Sequence, residues 1–242
     1  FPISTGLLIS NTRILHTQGN VIFAQLNVGP VTIANSQISD GKVFFSQSVG
    51  PTLTADSFAD TAVTFNIEGD TTVTGSKFVG SPVVNNGFGF GNDVFQNNTF
   101  SGAATALTLA DVAHQQVTGN TFAGNDIGVS ISDSPGDTVS GNVFRLDPAG
   151  IGSACTPARN CGFNGVFSLY GSAKPYNAWV VPINISSHQN NVFKNNTYTG
   201  PWNFDGLALG DTLTRAQWTT GFKDDNGSNA TVPQLTLGGG TL

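Results

Sequence analysis

One short pattern returns along this chain at a nearly fixed interval, and it restricts the possible folds more than any other feature. The segments VTIANSQI, PTLTADSF, TTVTGSKF, VFQNNTF, QVTGNTF, TVSGNVF and VFKNNTY end on Ile38, Phe58, Phe78, Phe100, Phe122, Phe144 and Tyr198. The intervals between these anchors are 20, 20, 22, 22, 22 and 54 residues. Ile14 ends an earlier, degenerate copy. Five residues before each anchor stands a second apolar column: Ile33, Leu53, Val73, Phe95, Val117, Val139 and Phe193. Two residues before it stands a polar one: Ser36, Asp56, Ser76, Asn98, Asn120, Asn142 and Asn196. The residue ahead of that polar column is often Gly or Asn, which tolerate the left-handed conformation of a sharp bend. Upstream lie alternating pairs, Val43 and Phe45, Val63 and Phe65, Leu107 and Leu109, Val129 and Ile131, with the period of a strand.

Each repeat therefore holds three short strands and three turns. A single coil of this kind cannot bury its inward side chains. Stacking coils about 4.8 Å apart pairs the strands and lines up like residues. Repeats of this length with no 3.6-residue period exclude a helical solenoid, and a leucine-rich repeat would need a regular leucine pattern. The expectation is an all-β solenoid, a single-stranded parallel β-helix of about eight coils over residues 1–210.

Composition agrees. Thirty glycines and eighteen phenylalanines suit many short strands joined by tight turns, and Glu68 is the only glutamate. Nine basic against fifteen acidic residues argue against nucleic acid, which is held by clustered Lys and Arg. No apolar run is long enough to span a bilayer. The chain lacks methionine and opens in strand-like sequence at Phe1, as a processed or excised segment does. Cys155 and Cys161 read as a disulfide closing a small loop of a secreted protein, with two free thiols as the alternative.

The N-x-F repeats on a 22-residue period resemble the pectin-lyase-like right-handed parallel β-helix superfamily, over roughly residues 5–210. The run Asn195, Asn196, Thr197, Tyr198, Thr199, Gly200, Pro201, Trp202, followed by Trp218, is similar to the C-terminal end of secreted bacterial β-helix proteins. The resemblance implies a right-handed coil, an extracellular setting and work on polysaccharides. It does not bring a catalytic set with it. The N-T-D, G-H-G and R-I-K segments of the polygalacturonase group are absent, as is an epimerase-type D-P-H-E.

Breaks in a solenoid repeat mark insertions, which often sit on a working face. Taking Val166 as the equivalent of Val129 places one insertion near 148–162, with both cysteines, and a second near 171–187. These loops bring Arg159, Tyr170, Lys174, Tyr176 and Trp179, aromatic faces and polar donors that suit sugar rings or, equally, a satellite core. Leu207 and Leu209 read as a last strand. Thr214 to Gln217 reads as a capping box opening a short helix within a C-terminal cap over 211–223, with Trp218 and Phe222 covering the open end of the stack. Residues 224–242 form a polar tail or linker. No matching cap is visible at the N-terminal coil, so a preceding domain or self-association is expected there.

In such a stack, residues one period apart become neighbours. Asp111 and Asp133 should lie roughly 5 Å apart on adjacent coils. That spacing suits the nucleophile and acid of a retaining glycosidase, and equally a calcium ion, with no other cofactor indicated. His114 adjoins this pair, and Asp137 shares a register with Asp93, with Gln115 between them. Asp111, His114, Asp133 and Asp137 are the candidate catalytic set; stacked turn aspartates are the structural alternative. Two functions stay open: a secreted protein that binds or cleaves an extracellular polysaccharide or cell-surface glycan, and a non-catalytic rod, adhesin or filament module.

Overall fold

The computed structural model describes residues 6–25, 29–48, 50–87, 91–146, 163–167, 191–200, 202–205 and 212–213. Each turn of the chain repeats one plan. In the turn with anchor Phe58 the strands are Thr52–Thr54, Ser57–Ala59 and Ala62–Asn66. The first two are separated by a two-residue bend, Ala55 and Asp56, and a longer corner leads on to Thr72–Thr74. The three strands of each turn enter three different sheets, of eight, eight and nine strands among the described residues. Pairing is parallel throughout except at one end, where Asn203–Asp205 meets Thr212–Leu213 antiparallel. The protein is a parallel β-solenoid.

The columns read from sequence become the ladders of the sheets. Ile33, Leu53 and Val73 are direct partners in the first sheet, as are Phe95, Val117, Val139 and Phe193. In the second sheet Ile14 pairs with Ile38, and the anchors follow in register through Phe144 and Tyr198. All these anchors from Ile38 onward are buried. Register forces their rings into parallel stacks: Phe78 and Phe100 lie 4.9 Å apart at 8°, and Phe122 and Phe144 4.8 Å apart at 7°. Isolated rings prefer offset or edge-on contact, so strand spacing dictates this arrangement. Edge-on contacts return where the stack ends, with Trp202 against Phe144 at 5.4 Å and 69° and Phe204 against Tyr198 at 5.4 Å and 79°.

The bends explain the Gly and Asn ahead of the polar column. Asn35, Ala55, Gly75, Asn97, Gly119, Gly141 and Asn195 all have φ between 52° and 66°. Only Ala55 takes this conformation without the relief that Gly or Asn gives.

Some expectations shift in detail. Val166 pairs with Ile131 rather than Val129, across an irregularity between Ile127 and Ser130. The strand Phe163–Phe167 still extends the third sheet, and Val192–Lys194 extends the first. The insertions expected near 148–162 and 171–187 lie outside the described residues. Among the described residues the third sheet's parallel run reaches Asn203–Asp205, and Leu207 and Leu209 fall outside them. The Cys155–Cys161 loop, the helix expected to open at Thr214 and the tail also lie outside them, while Thr212–Leu213 at the start of the expected cap is a strand. No helix among the described residues is long and apolar enough to cross a membrane.

Candidate functional site

Every bend of a stacked coil turns a backbone N–H along the rod axis, where it needs an acceptor on the next coil. At the bend between the first and second sheets, asparagine supplies it. The N–H groups of Ser76, Asn98, Asn120 and Asn142 donate to the Oδ1 atoms of Asn98, Asn120, Asn142 and Asn196 at 2.8–2.9 Å. The Nδ2 atoms of Asn98, Asn120, Asn142 and Asn196 donate back to the carbonyls of Val73, Phe95, Val117 and Val139. Each amide thus uses both its donor and its acceptor. Asp56 takes the same place lower in the column. It accepts from the N–H groups of Ser36 and Thr54, while burial pushes its carboxyl up to about 6.

The corner between the third and first sheets is built on the same rule with different residues. From the strand Thr72–Thr74 onward, the position before each first-sheet strand carries Thr71, Asp93, Gln115, Asp137 and Asn191. Asp93 Oδ1 accepts from the N–H of Thr71 at 2.6 Å, Asp137 Oδ1 from that of Gln115 at 2.8 Å, and Asn191 Oδ1 from that of Asp137 at 2.8 Å. Ser134 Oγ donates to Asp137 Oδ2 at 2.7 Å. Thr71, Asp93, Gln115 and Asp137 have no exposed surface. Here carboxylates stand where amides stand at the other bend, and burial raises both. Asp137 is pushed up to about 8 against its bonds from Ser134 and Gln115, with the charge of Asp93 adding to the rise. Asp93 is raised against donation from Asn85 and Thr71.

Two further residues close on this column. Glu68, fully buried, accepts the N–H of Ser48 on both carboxylate oxygens at 2.9 Å. Burial and then the charge of Asp93 outweigh that bond and lift Glu68 to about 7. Asn85 stands in the apolar column of the third sheet, between its partners Phe65 and Leu109. It is fully buried and points polar atoms into the rod: Nδ2 donates to Asp93 Oδ2 at 2.8 Å and to Gln115 Oε1 at 3.0 Å. The result is an interior cluster of Glu68, Asn85, Asp93 and Gln115, with Asp137 on the next coil. The sequence signal for it was a gap. The alternating apolar pairs of the third sheet skip the coil of Val83, because Asn85 replaces the second member.

The expected catalytic set is partly brought together. Asp111 and Asp133 do occupy equivalent places on adjacent coils, directly after the paired residues Ala110 and Ser132. Both are left-handed corner residues, with φ of 50° and 48°. Both are buried, as is Asp137, so none of the three carboxyls presents itself to a polymer outside the rod. His114 is exposed and left-handed at φ 57°. Its ring lies over Gly136, where an added Cβ would meet Nδ1 at 2.5 Å. Asp137 turns inward to the acid column instead of outward toward His114. Arg159, Tyr170, Lys174, Tyr176 and Trp179 lie outside the described residues.

Fold and corner chemistry together define a parallel β-solenoid with polar ladders running inside its bends. A family model described as "Periplasmic copper-binding protein (NosD)" matches residues 4–196, and the chain belongs to the NosD family of right-handed parallel β-helices. Among curated proteins no significant match exists. Two solved structures align with most of the chain. One is QnrB1, a plasmid-mediated fluoroquinolone resistance protein, at 11% identity over 94% of this chain and 90% of that one, with a TM-score of 0.26. The other is HetL, a pentapeptide repeat protein involved in heterocyst differentiation regulation from the cyanobacterium Nostoc sp., at 9% identity over 86% and 88%, with a TM-score of 0.23. At these scores neither superposition carries an argument.

Copper favours imidazole, thiolate and thioether ligands. The chain has three His, two Cys and no Met. Among the described residues no three of His, Cys, Asp and Glu come together as a metal centre. His16 lies 3.0 Å from Asp40 at one corner of the first coil, and His114 sits at another corner far along the rod. The described residues do not fit a copper centre.

Proposed function

We propose that this protein is an exported, non-catalytic β-solenoid that holds an extended polysaccharide along its outer surface, in the periplasm or at the cell surface. The observation that carries this reading is the outward side of the first sheet. Thr32, Thr52 and Thr72 are successive partners in one row, and Thr54 and Thr74 in the next. Thr54 Oγ1 and Thr74 Oγ1 lie 3.5 Å apart. The first row passes through Val94 to Gln116 and Thr138, and the second through Gln96 to Thr118 and Ser140. Hydroxyls and amides repeating at strand spacing match a linear polymer rich in hydroxyls. The burial of Asp111, Asp133 and Asp137 supports binding without cleavage. Family membership supports export.

A glycan array combined with reducing-sugar and unsaturated-product assays tests this reading. Binding to at least one glycan without turnover is expected. No binding to any acidic or neutral glycan sinks the proposal, and turnover replaces it with an enzyme.

A second reading, self-association as a rod, is favoured by one observation. Leu7, Leu8 and Phe23 are 42%, 67% and 55% exposed on the strands that end the three-sheet stack. Phe23 stacks on Phe44 at 5.3 Å, its one ring contact among the described residues. Light scattering that shows higher oligomers, abolished by Leu8→Lys with Phe23→Lys, would support this rod; a monodisperse monomer would exclude it.

A further inference from the structure

We propose that Glu68, Asp93, Asn85, Thr71 and Ser48 bind one hard divalent cation of the calcium class, enclosed where the third sheet turns into the first. The donor set is the first reason. Every unsatisfied group there is an oxygen. Asn85 Oδ1, Thr71 Oγ1 and Ser48 Oγ are buried atoms with no hydrogen-bond partner among the described residues. Asn85 and Thr71 have no exposed surface at all, so solvent does not satisfy them. A buried polar atom left unpaired is costly.

Connectivity is the second reason. Ser48 holds both oxygens of Glu68 through its N–H. Thr71 and Asn85 both engage Asp93, through N–H and Nδ2 respectively. Glu68 and Asp93 feel one another's charge. Ser48 with Glu68, and Thr71 and Asn85 with Asp93, thus form two hydrogen-bonded groups beside the same corner.

Charge is the third. The ion pair among the described residues is His16 with Asp40, remote from this corner. Among the described residues neither Glu68 nor Asp93, both buried, has a cation partner, an arrangement that proteins resolve by neutralisation. A water molecule offers two protons and no charge. One divalent ion satisfies the orphaned oxygens and balances both carboxylates together. Calcium takes six to eight oxygens in flexible geometry, whereas magnesium demands a strict octahedron and retains water. Sulfur and imidazole, which copper would favour, are absent from this set. Because the site is closed, the ion enters as the coil folds.

The whole chain is unfolded and refolded with EDTA or with excess calcium, and metal per chain is measured by elemental analysis beside the melting temperature. Calcium is expected to bind at one ion per chain and to raise Tm by about 5 °C at a hundredfold excess over Kd. Glu68→Gln and Asp93→Asn should each abolish both effects. Should either fail to fold, Thr71→Val keeps the carboxylates and should weaken calcium binding about tenfold. Asp56→Asn, in the other bend, should leave binding unchanged. Absence of bound calcium in the refolded wild type, retention of the ion by Glu68→Gln and Asp93→Asn, or preferential uptake of copper would each overturn the proposal.

Discussion

The two polar columns inside this rod solve one problem with opposite chemistry. At the bend between the first and second sheets, Asn98, Asn120, Asn142 and Asn196 accept a backbone N–H and return a donor to a backbone carbonyl. That ladder is neutral and closed on itself. At the corner between the third and first sheets, Asp93 and Asp137 accept equally well but have no proton to return when ionised. Their charge is left without compensation, and burial raises them. An asparagine column can be extended indefinitely as structure. A carboxylate column in the same geometry carries a charge that something else must balance, which makes it responsive to pH and to cations.

The largest expected effect comes from breaking the neutral ladder. Asn120→Ala leaves the N–H of Asn98 buried without its acceptor and takes the Nδ2 donor from the Phe95 carbonyl. An orphaned buried donor costs about 1–3 kcal/mol and the lost amide bond adds to it, so a loss of about 3 kcal/mol is expected in thermal or denaturant unfolding. A loss below about 1 kcal/mol would show the ladder to be dispensable.

Next in size is converting one column into the other. Asn98→Asp replaces Nδ2, which faces the Val73 carbonyl and Asn120 Oδ1 at 2.8 and 3.1 Å, with an acceptor. The cost should be about 2 kcal/mol at pH 8 and clearly smaller at pH 5, where the introduced acid can carry a proton. A cost independent of pH would contradict the contrast drawn here.

The acid column predicts the direction of the native pH dependence. Glu68 at about 7 and Asp137 at about 8 are raised above their unfolded values. Between those values the folded state binds more protons than the unfolded state. Stability is therefore full below about pH 4 as far as these groups are concerned, and is lost as pH rises toward 8. In chelator, Tm should fall steadily from pH 5 to pH 8, by up to about 1.4 kcal/mol of stability per pH unit for each fully raised group. Asp137→Asn should make the decline shallower. A Tm that climbs over this range would refute the assignment.

The smallest effect lies at the bend itself. Ala55 is left-handed at φ 56°, where the equivalent of the next coil is Gly75 at 60°. Ala55→Gly should stabilise by about 0.5 kcal/mol, because relief of strain is partly offset by the freer unfolded chain. Calorimetry of the pair resolves a change of that size, and destabilisation would count against backbone strain at this bend.

Much of the fold could be read from particular residues. The anchors from Ile38 to Tyr198, the polar column from Ser36 to Asn196 and the place of Ile14 all stand in the expected register. Asp111 and Asp133 were correctly placed side by side. Their accessibility was not legible, because spacing says which coil a residue occupies and not whether a corner side chain turns in or out. The break at Val166 was legible only to within two residues, since an irregularity near Ile127 moves the pairing.

Period is a property of the chain itself: an interval of 20 or 22 residues returns a strand to its own face, and so the sequence alone determined a solenoid with its apolar and asparagine columns. The interior cluster obeys no such interval. Asn85 meets Asp93 eight residues on and Gln115 thirty residues on. Those separations depend on how far each corner swings between unequal coils, and on a third-sheet strand turning an amide toward a first-sheet carboxylate across the core. Only the tertiary structure decided that the sole glutamate, one misplaced asparagine and two aspartates would gather inside the rod, because that meeting arises from the angle between sheets rather than from the repeat along them.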